Sequence, residues 1–193
     1  MSIFITSDTH FFHKNILKYQ PDDRPFETVE EMHEGIIKNW NSMVEPDDYV
    51  YHLGDVAFSS AQKALPILER LNGKIELIEG NHDKGLLKNR DFRSRFVKVS
   101  PYTEIKFQGT KIVLCHYPIY SWNMIHHGAL HFYGHTHGSI PHVHEGCSMD
   151  VGIDTNRCFP YDLSELVEYL ANVREIKGIG KTDPRYRETR PNE

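Results

Sequence analysis

Seven residues in this chain carry donor types that divalent cations favour: Asp8, His10, Asp55, Asn81, His116, His135 and His137. Imidazole, carboxylate and amide together suit borderline ions such as Mn, Fe, Zn, Ni or Co. Two such ions ~3.5–4 Å apart can clamp the attacking and leaving oxygens of an in-line displacement at phosphorus. A pair of ions needs a bridging carboxylate, and an aspartate on a tight glycine turn can approach both. Taken singly, each residue has an ordinary explanation. Gly-Asp and Gly-Asn pairs are common turn chemistry, and an isolated His-x-His is weak. Their shared position distinguishes them, since each lies in a short polar turn that closes an apolar run.

Those runs predict the elements that would position the seven. Strands are expected at Ile3 to Thr6, Tyr49 to Leu53, Ile75 to Ile78, Lys111 to Cys115 and Leu130 to Tyr133. In α/β sheets, ligands bind beyond the carboxyl ends of strands, so five such ends side by side would collect these turns at one edge. Thr28 with Glu31 reads as a capping box. It opens a helix whose Val29, Met32, Ile36, Ile37, Trp40 and Met43 recur at helical spacing. Ser59 or Ser60 caps a second helix to about Leu71, with Pro66 giving it a kink or a late start. Strands are expected at Val97 to Val99 and Tyr102 to Phe107, the latter forming a hairpin with Lys111 to Cys115 around Gln108-Gly109. A further hairpin is expected over residues 142–153 around Gly146, and a short helix over Leu163 to Leu170. Residues 1–177 read as one domain. Residues 178–193 read as a polar tail dispensable for catalysis.

Composition narrows the function classes. The net charge is -5 in 193 residues, whereas proteins that bind nucleic acid through its phosphates are normally basic. Long duplex nucleic acid is therefore not an expected partner, while a small phosphorylated substrate is. Three cysteines without a CxxC pair argue against a disulfide framework or a cysteine-rich zinc site. No apolar run approaches the ~20 residues of a membrane span, and the cytoplasm is the expected location. Thirteen histidines are the unusual number.

The motif blocks resemble the calcineurin-like metallophosphoesterases. They stand in that family's order as Asp8-Thr9-His10, Gly54-Asp55, Gly80-Asn81-His82-Asp83, His116 and Gly134-His135-Thr136-His137. The resemblance implies a four-layer α/β/β/α sandwich of two mixed β-sheets. It implies that Asp8, His10 and His137 hold one divalent ion, that Asn81, His116 and His135 hold a second, and that Asp55 bridges them. Manganese is the first expectation, with Fe, Zn, Ni, Co or Mg as alternatives. His82 would be the catalytic histidine outside the ligand set, near the leaving group, with Asp83 orienting or charging it. The implied reaction is hydrolysis of phosphomonoesters or phosphodiesters, nucleotides and nucleic-acid ends included, by a metal-bound hydroxide. The alternative is a non-catalytic metal-binding module of the same fold, but such a module should have lost ligands or His82. The sequence is silent on substrate identity and oligomeric state.

Several residues remain. His33 reads as solvated, His52 as core, and His126 and His127 as plain loop. His13 and Asn15 follow the first motif closely. His131, His142 and His144 lie outside the pattern. Arg24, beside Pro25, reads as a surface arginine in preference to a phosphate contact, and Cys115 as packing.

Overall fold

The computed structural model describes residues 1–140 and 147–176. The expected tail at 178–193, His142, His144 and the first arm of the expected 142–153 hairpin lie outside the described residues. In the first sheet, β1 (Ile3–Thr6), β2 (Tyr49–His52), β3 (Lys74–Ile78) and β4 (Lys98–Ser100) are parallel. The two-residue β9 (Tyr161–Asp162) runs antiparallel to β1, giving the order β4-β3-β2-β1-β9. The second sheet has the order β5-β6-β7-β8 from β5 (Tyr102–Phe107), β6 (Thr110–Cys115), β7 (Leu130–Tyr133) and β8 (Ser148–Asp150). Here β5 and β6 form the expected hairpin, while β7 and β8 continue in parallel. Both sheets are mixed, as expected.

Register places the motif turns side by side. Thr6 pairs with His52 and His52 with Leu77, so β1, β2 and β3 end in one row. Leu114 pairs with Phe132 and Tyr133 with Asp150, which aligns the ends of β6, β7 and β8. A bridge between Ser7 and Gly152 then joins the two rows beyond the strand ends, with Ile153 N–H donating to Ser7 O at 3.0 Å.

Alternation along the strands builds the layers. Ile5, Ile112, Leu114, Leu130 and Phe132 point between the sheets and meet Leu163, Leu166 and Leu170 of α6 (Leu163–Ile176). The other face of the first sheet, with Phe4, Val50, Ile75 and Leu77, packs on α2 (Val29–Met43) and α3 (Ala61–Leu68). The short helices α4 (Asp83–Leu86) and α5 (Arg90–Ser94) join that cluster through Leu86 and Phe92, and α1 (Ile16–Tyr19) through Ile16. On the outer face of the second sheet, Val113 is covered by Trp122, Ile125 and Ala129. That fourth layer is thin, a loop wound around the 3₁₀ turn Ile125–His127.

The local expectations were met with shifts. Thr28 is extended and its side chain accepts the Glu31 N–H, as a cap should. The Glu31 carboxylate, however, takes the Glu27 N–H at 3.0 Å, one residue before the cap. α3 starts at Ala61, holds Pro66 inside it and stops at Leu68, short of Leu71; beyond it the bonds tighten to three-residue spacing, Arg70 N–H to Ile67 O and Leu71 N–H to Leu68 O. α6 runs on to Ile176. β8, the described arm of the expected hairpin, pairs in parallel with β7. His33 is not solvated: it is buried, and its Nε2 accepts the Phe12 N–H at 2.8 Å. Positions 33, 36, 37 and 40 form one helical stripe, so the ring shares a face with buried Ile36, Ile37 and Trp40. Among the described residues, no helix is long and apolar enough to cross a membrane.

Candidate metal centre

The turn after β1 brings the first residues in. Asp8 N–H donates to Gly54 O at 2.9 Å and His10 N–H to Asp55 O at 3.1 Å, so this turn lies along the turn after β2. Asp8, His10, Asp55, His135 and His137 all have positive φ, between 46° and 70°. Non-glycine residues there store on the order of 1–3 kcal/mol each and persist where the surroundings over-determine them. Close approach explains two glycines. A Cβ on Gly54 would strike the Gly80 backbone and the His116 ring, and one on Gly134 would strike Ser7 Oγ and Asp8 Oδ2.

The donor atoms converge in two groups. Atoms of Asp8, His10 and His137 lie within 4.8 Å of one another, and so do atoms of Asp55, His116 and His135. Asn81 Oδ1 stands 3.0 Å from His116 Nε2, joining the second group. Asp55 faces both: its Oδ2 is 3.7 Å from His10 Nε2 and 3.5 Å from His116 Nε2. Its Oδ1 accepts the His82 N–H at 2.9 Å. Asp8 is divided in the same way, with Oδ2 accepting the His135 N–H at 2.9 Å. Asp8 Oδ1 and both His10 nitrogens are buried without hydrogen-bond partners. Buried polar atoms in that state are costly, and a cation between them satisfies them. The donor chemistry therefore fits divalent ions.

Electrostatics set His116 and His137 apart from structural histidines, whereas the His135 ring is lowered, chiefly by burial. Burial would lower the His116 ring, but its contact with Asp55 and the charge of Asp8 raise it to about 9. His137 is likewise depressed by burial and raised above its usual value by Asp154 and Asp8. Burial favours the protonated form of Asp8, yet neighbouring His10 holds the carboxyl far below the usual range. His52 and His131 instead go to about 4, chiefly by burial. Both are satisfied as neutral rings. His52 Nδ1 accepts the Gly54 N–H, and its Nε2 donates to Thr9 Oγ1, which donates to Val56 O. His131 donates from Nδ1 to Val113 O and accepts the Ile119 N–H, anchoring the chain that leaves His116. His52 is core, as expected.

His82 stands at the rim. Its side chain is 39% exposed and its Nε2 is 3.9 Å from Asp55 Oδ2. Phe58, half exposed, packs edge-on against it with ring centroids 5.2 Å apart. Asp83 is fully buried. Its Oδ2 accepts the Asp55 and Gly80 N–H groups, each at 2.9 Å, and its Oδ1 accepts the Val56 N–H at 3.0 Å. The carboxylate thus ties the turn after β2 to the turn that carries Asn81 and His82. His13 lies against His10 and Phe58, and its Nδ1 accepts the Ile16 N–H.

Around the centre, the sequence reading misplaces Arg24 and passes over Asp154 and Asp150. Arg24 is not on the surface; only 1% of it is exposed, and its guanidinium pairs with Asp154. Asp154 itself, on the 3₁₀ turn Ile153–Asn156, accepts the His137 Nδ1–H at 2.6 Å. Asp150 accepts Thr136 Oγ1–H at 2.5 Å and the Gly138 N–H at 3.0 Å, fixing the turn of His135 and His137. A second cluster of acids close behind the last histidine motif is the only local signal for the two aspartates.

Comparison with known proteins shows the family. A family model described as the calcineurin-like phosphoesterase superfamily domain matches residues 1–149. An uncharacterised protein of Methanocaldococcus jannaschii is 36% identical over 184 residues, covering 92% of this chain and 96% of its own. The gene 66 protein of Mycobacterium phage L5 is 28% identical over 209 residues, covering 91% of this chain and 97% of its own. A solved structure of a protein of unknown function from Aquifex aeolicus matches with a TM-score of 0.68 at 26% identity, over 87% of this chain and 98% of its own. The chain belongs to the calcineurin-like phosphoesterase superfamily.

Proposed function

We propose that this chain hydrolyses phosphomonoester or phosphodiester bonds with two divalent ions, manganese first among the candidates. One observation carries the reading: Asp55 Oδ2 lies between His10 Nε2 and His116 Nε2, at 3.7 and 3.5 Å, with a three-residue donor group on each side. Asp8, His10 and His137 would hold one ion, Asn81, His116 and His135 the other, and Asp55 both. Ions bound there would balance charge on the phosphoryl oxygens and acidify water.

The chain's own residues supply the rest. His82 stands outside the donor set on an exposed rim, so its ring can reach the departing oxygen and give it a proton, which is typically worth ~10²–10⁴ in rate. Its backbone N–H is held by Asp55 Oδ1 and its turn by Asp83, so its starting position is fixed. Asp83 acts through that turn as a positioning residue. The substrate class is a small phosphorylated molecule, a nucleotide or a nucleic-acid end. The net charge of -5 disfavours long duplexes. Three unpaired cysteines are consistent with a reducing cytoplasm.

The test uses metal-stripped protein refilled separately with Mn, Ni, Zn, Mg or Fe and offered mono-, di- and cyclic phosphoesters. Hydrolysis that a chelator abolishes is expected. Tight ion binding with no hydrolysis of any ester would instead mark a binding module.

A further inference from the structure

We propose that Asp154, locked in place by Arg24, is the positioning residue that makes the Asp8–His10–His137 group the tighter of the two cation sites. The inference rests on the two-ion reading above.

Arg24 and Asp154 are 130 positions apart in sequence, and both side chains are fully buried. The guanidinium grips the carboxylate at two points, Nε to Oδ1 at 2.5 Å and Nη2 to Oδ2 at 2.9 Å. Its other donors go to Asp8 O at 2.6 Å, Thr9 O at 3.0 Å and Met32 Sδ at 3.5 Å. All five N–H groups of the arginine therefore have acceptors. Two of those acceptors are backbone carbonyls of the very turn that carries Asp8 and His10.

The carboxylate then dictates the state of His137. An ionised carboxylate can only accept, so the 2.6 Å contact puts a proton on His137 Nδ1 and leaves Nε2 as the free donor atom. The ring's orientation is set as well, stacked on His10 with centroids 5.1 Å apart. An outer carboxylate of this kind fixes the tautomer and raises the basicity of a ligating histidine, and removing it typically costs ~10–100-fold in metal affinity. The arginine keeps this carboxylate from being an uncompensated buried charge. One strut thus holds all three donors of the first group relative to one another before any ion arrives.

The second group has no carboxylate behind its histidines. His116, though buried, has the neutral Leu53 carbonyl behind its Nδ1, at 2.7 Å. Asn81 and His135 are exposed, and the His135 ring leans on Tyr117 and His116. Asp8 and His10 are buried, and the His137 side chain is 19% exposed. Asp55 and His116 are buried as well, so the groups differ at their outer donors: His137 is braced by a carboxylate and largely covered, while His135 and Asn81 are exposed.

The test is calorimetric titration of metal-stripped, full-length protein with Mn²⁺, independent of any activity. Wild type should show two binding events. His137→Ala should remove the tighter and His135→Ala the weaker, which assigns them. Asp154→Asn should weaken the tighter event ~10–100-fold and move the weaker less than about threefold. Near-UV circular dichroism of the metal-free variant checks its fold. If Asp154→Asn does not fold, Arg24→Lys, which keeps the charge but loses the two-point grip, should weaken the same event selectively. Equal weakening of both events, selective weakening of the looser one, or no change in a folded variant overturns the proposal. A single event in wild type would defeat the two-ion reading. The strut would then stand only if Asp154→Asn still weakens that event tenfold or more.

Discussion

Removing the Asp83 carboxylate should cost several kcal/mol of stability even though the residue belongs to neither donor group. Three buried N–H donors, from Asp55, Val56 and Gly80, depend on it at 2.9–3.0 Å. Leaving a buried donor unsatisfied costs about 1–3 kcal/mol. Asp83→Ala strands all three, although water entering the vacated space recovers part of the loss, so about 4 kcal/mol is expected. Asp83→Asn differs in kind. With its amide oxygen at the Oδ2 position it keeps the Asp55 and Gly80 bonds, but its NH₂ then faces the Val56 N–H. One lost bond and one donor–donor contact come to about 2 kcal/mol. At about 2–4 °C per kcal/mol for a chain of this size, the melting temperature should fall about 8–16 °C for alanine and roughly half that for asparagine. Thermal melts of the metal-free proteins by circular dichroism measure this, so loss of bound ions does not enter. An Asp83→Ala melt within about 2 °C of wild type would refute the clamp.

Three further outcomes follow from the same geometry. Asp55→Asn should be the most damaging single ligand change, because that carboxylate alone faces both donor groups; elemental analysis should show both ions weakened, and retention of both with normal turnover contradicts the assignment. His82→Ala should keep both ions and its fold, and lose ~10²–10⁴ in rate on alkyl or nucleoside esters but far less on nitrophenyl esters; a flat plot of rate loss against leaving-group pKa removes it from proton donation. His52 and His131, each depressed to about 4 by burial, should make stability fall as the solution is acidified. Since the folded values lie below the unfolded value of about 6.5, this stability is intact above pH ~6.5 and is lost as pH drops through 4. Each ring contributes up to about 3 kcal/mol, and His131→Gln should flatten the acid limb of a pH–stability curve, whereas an unchanged limb would mean that the ring does not titrate there.

Chemistry repeated at strand ends made the site legible in sequence. Asp8, Asp55, Asn81, His116 and His135 each follow an apolar run that is a strand; register aligns those ends within each sheet, and the Ser7–Gly152 bridge joins the two rows. The supporting residues were not legible in the same way. Arg24 and Asp154 acquire their role only from a contact spanning 130 positions, and neither sits in a periodic segment. The four- and five-residue helices α4 and α5 are too short to show a stripe. β9 has two residues and exists because β1 offers it an edge. His33 was misread for another reason. Its polar type outweighed its position, although spacing from Ile36, Ile37 and Trp40 put it on the buried face.

Whether two ions sharing Asp55 drive phosphoester hydrolysis is measured most directly by counting metal and turnover on the same sample, by elemental analysis and phosphoester hydrolysis during stepwise refilling of stripped protein with Mn²⁺. Activity should stay low through the first equivalent and rise with the second, reaching its plateau at two ions per chain. Full activity at one tightly bound ion, or two bound ions with no hydrolysis of any ester, would contradict it.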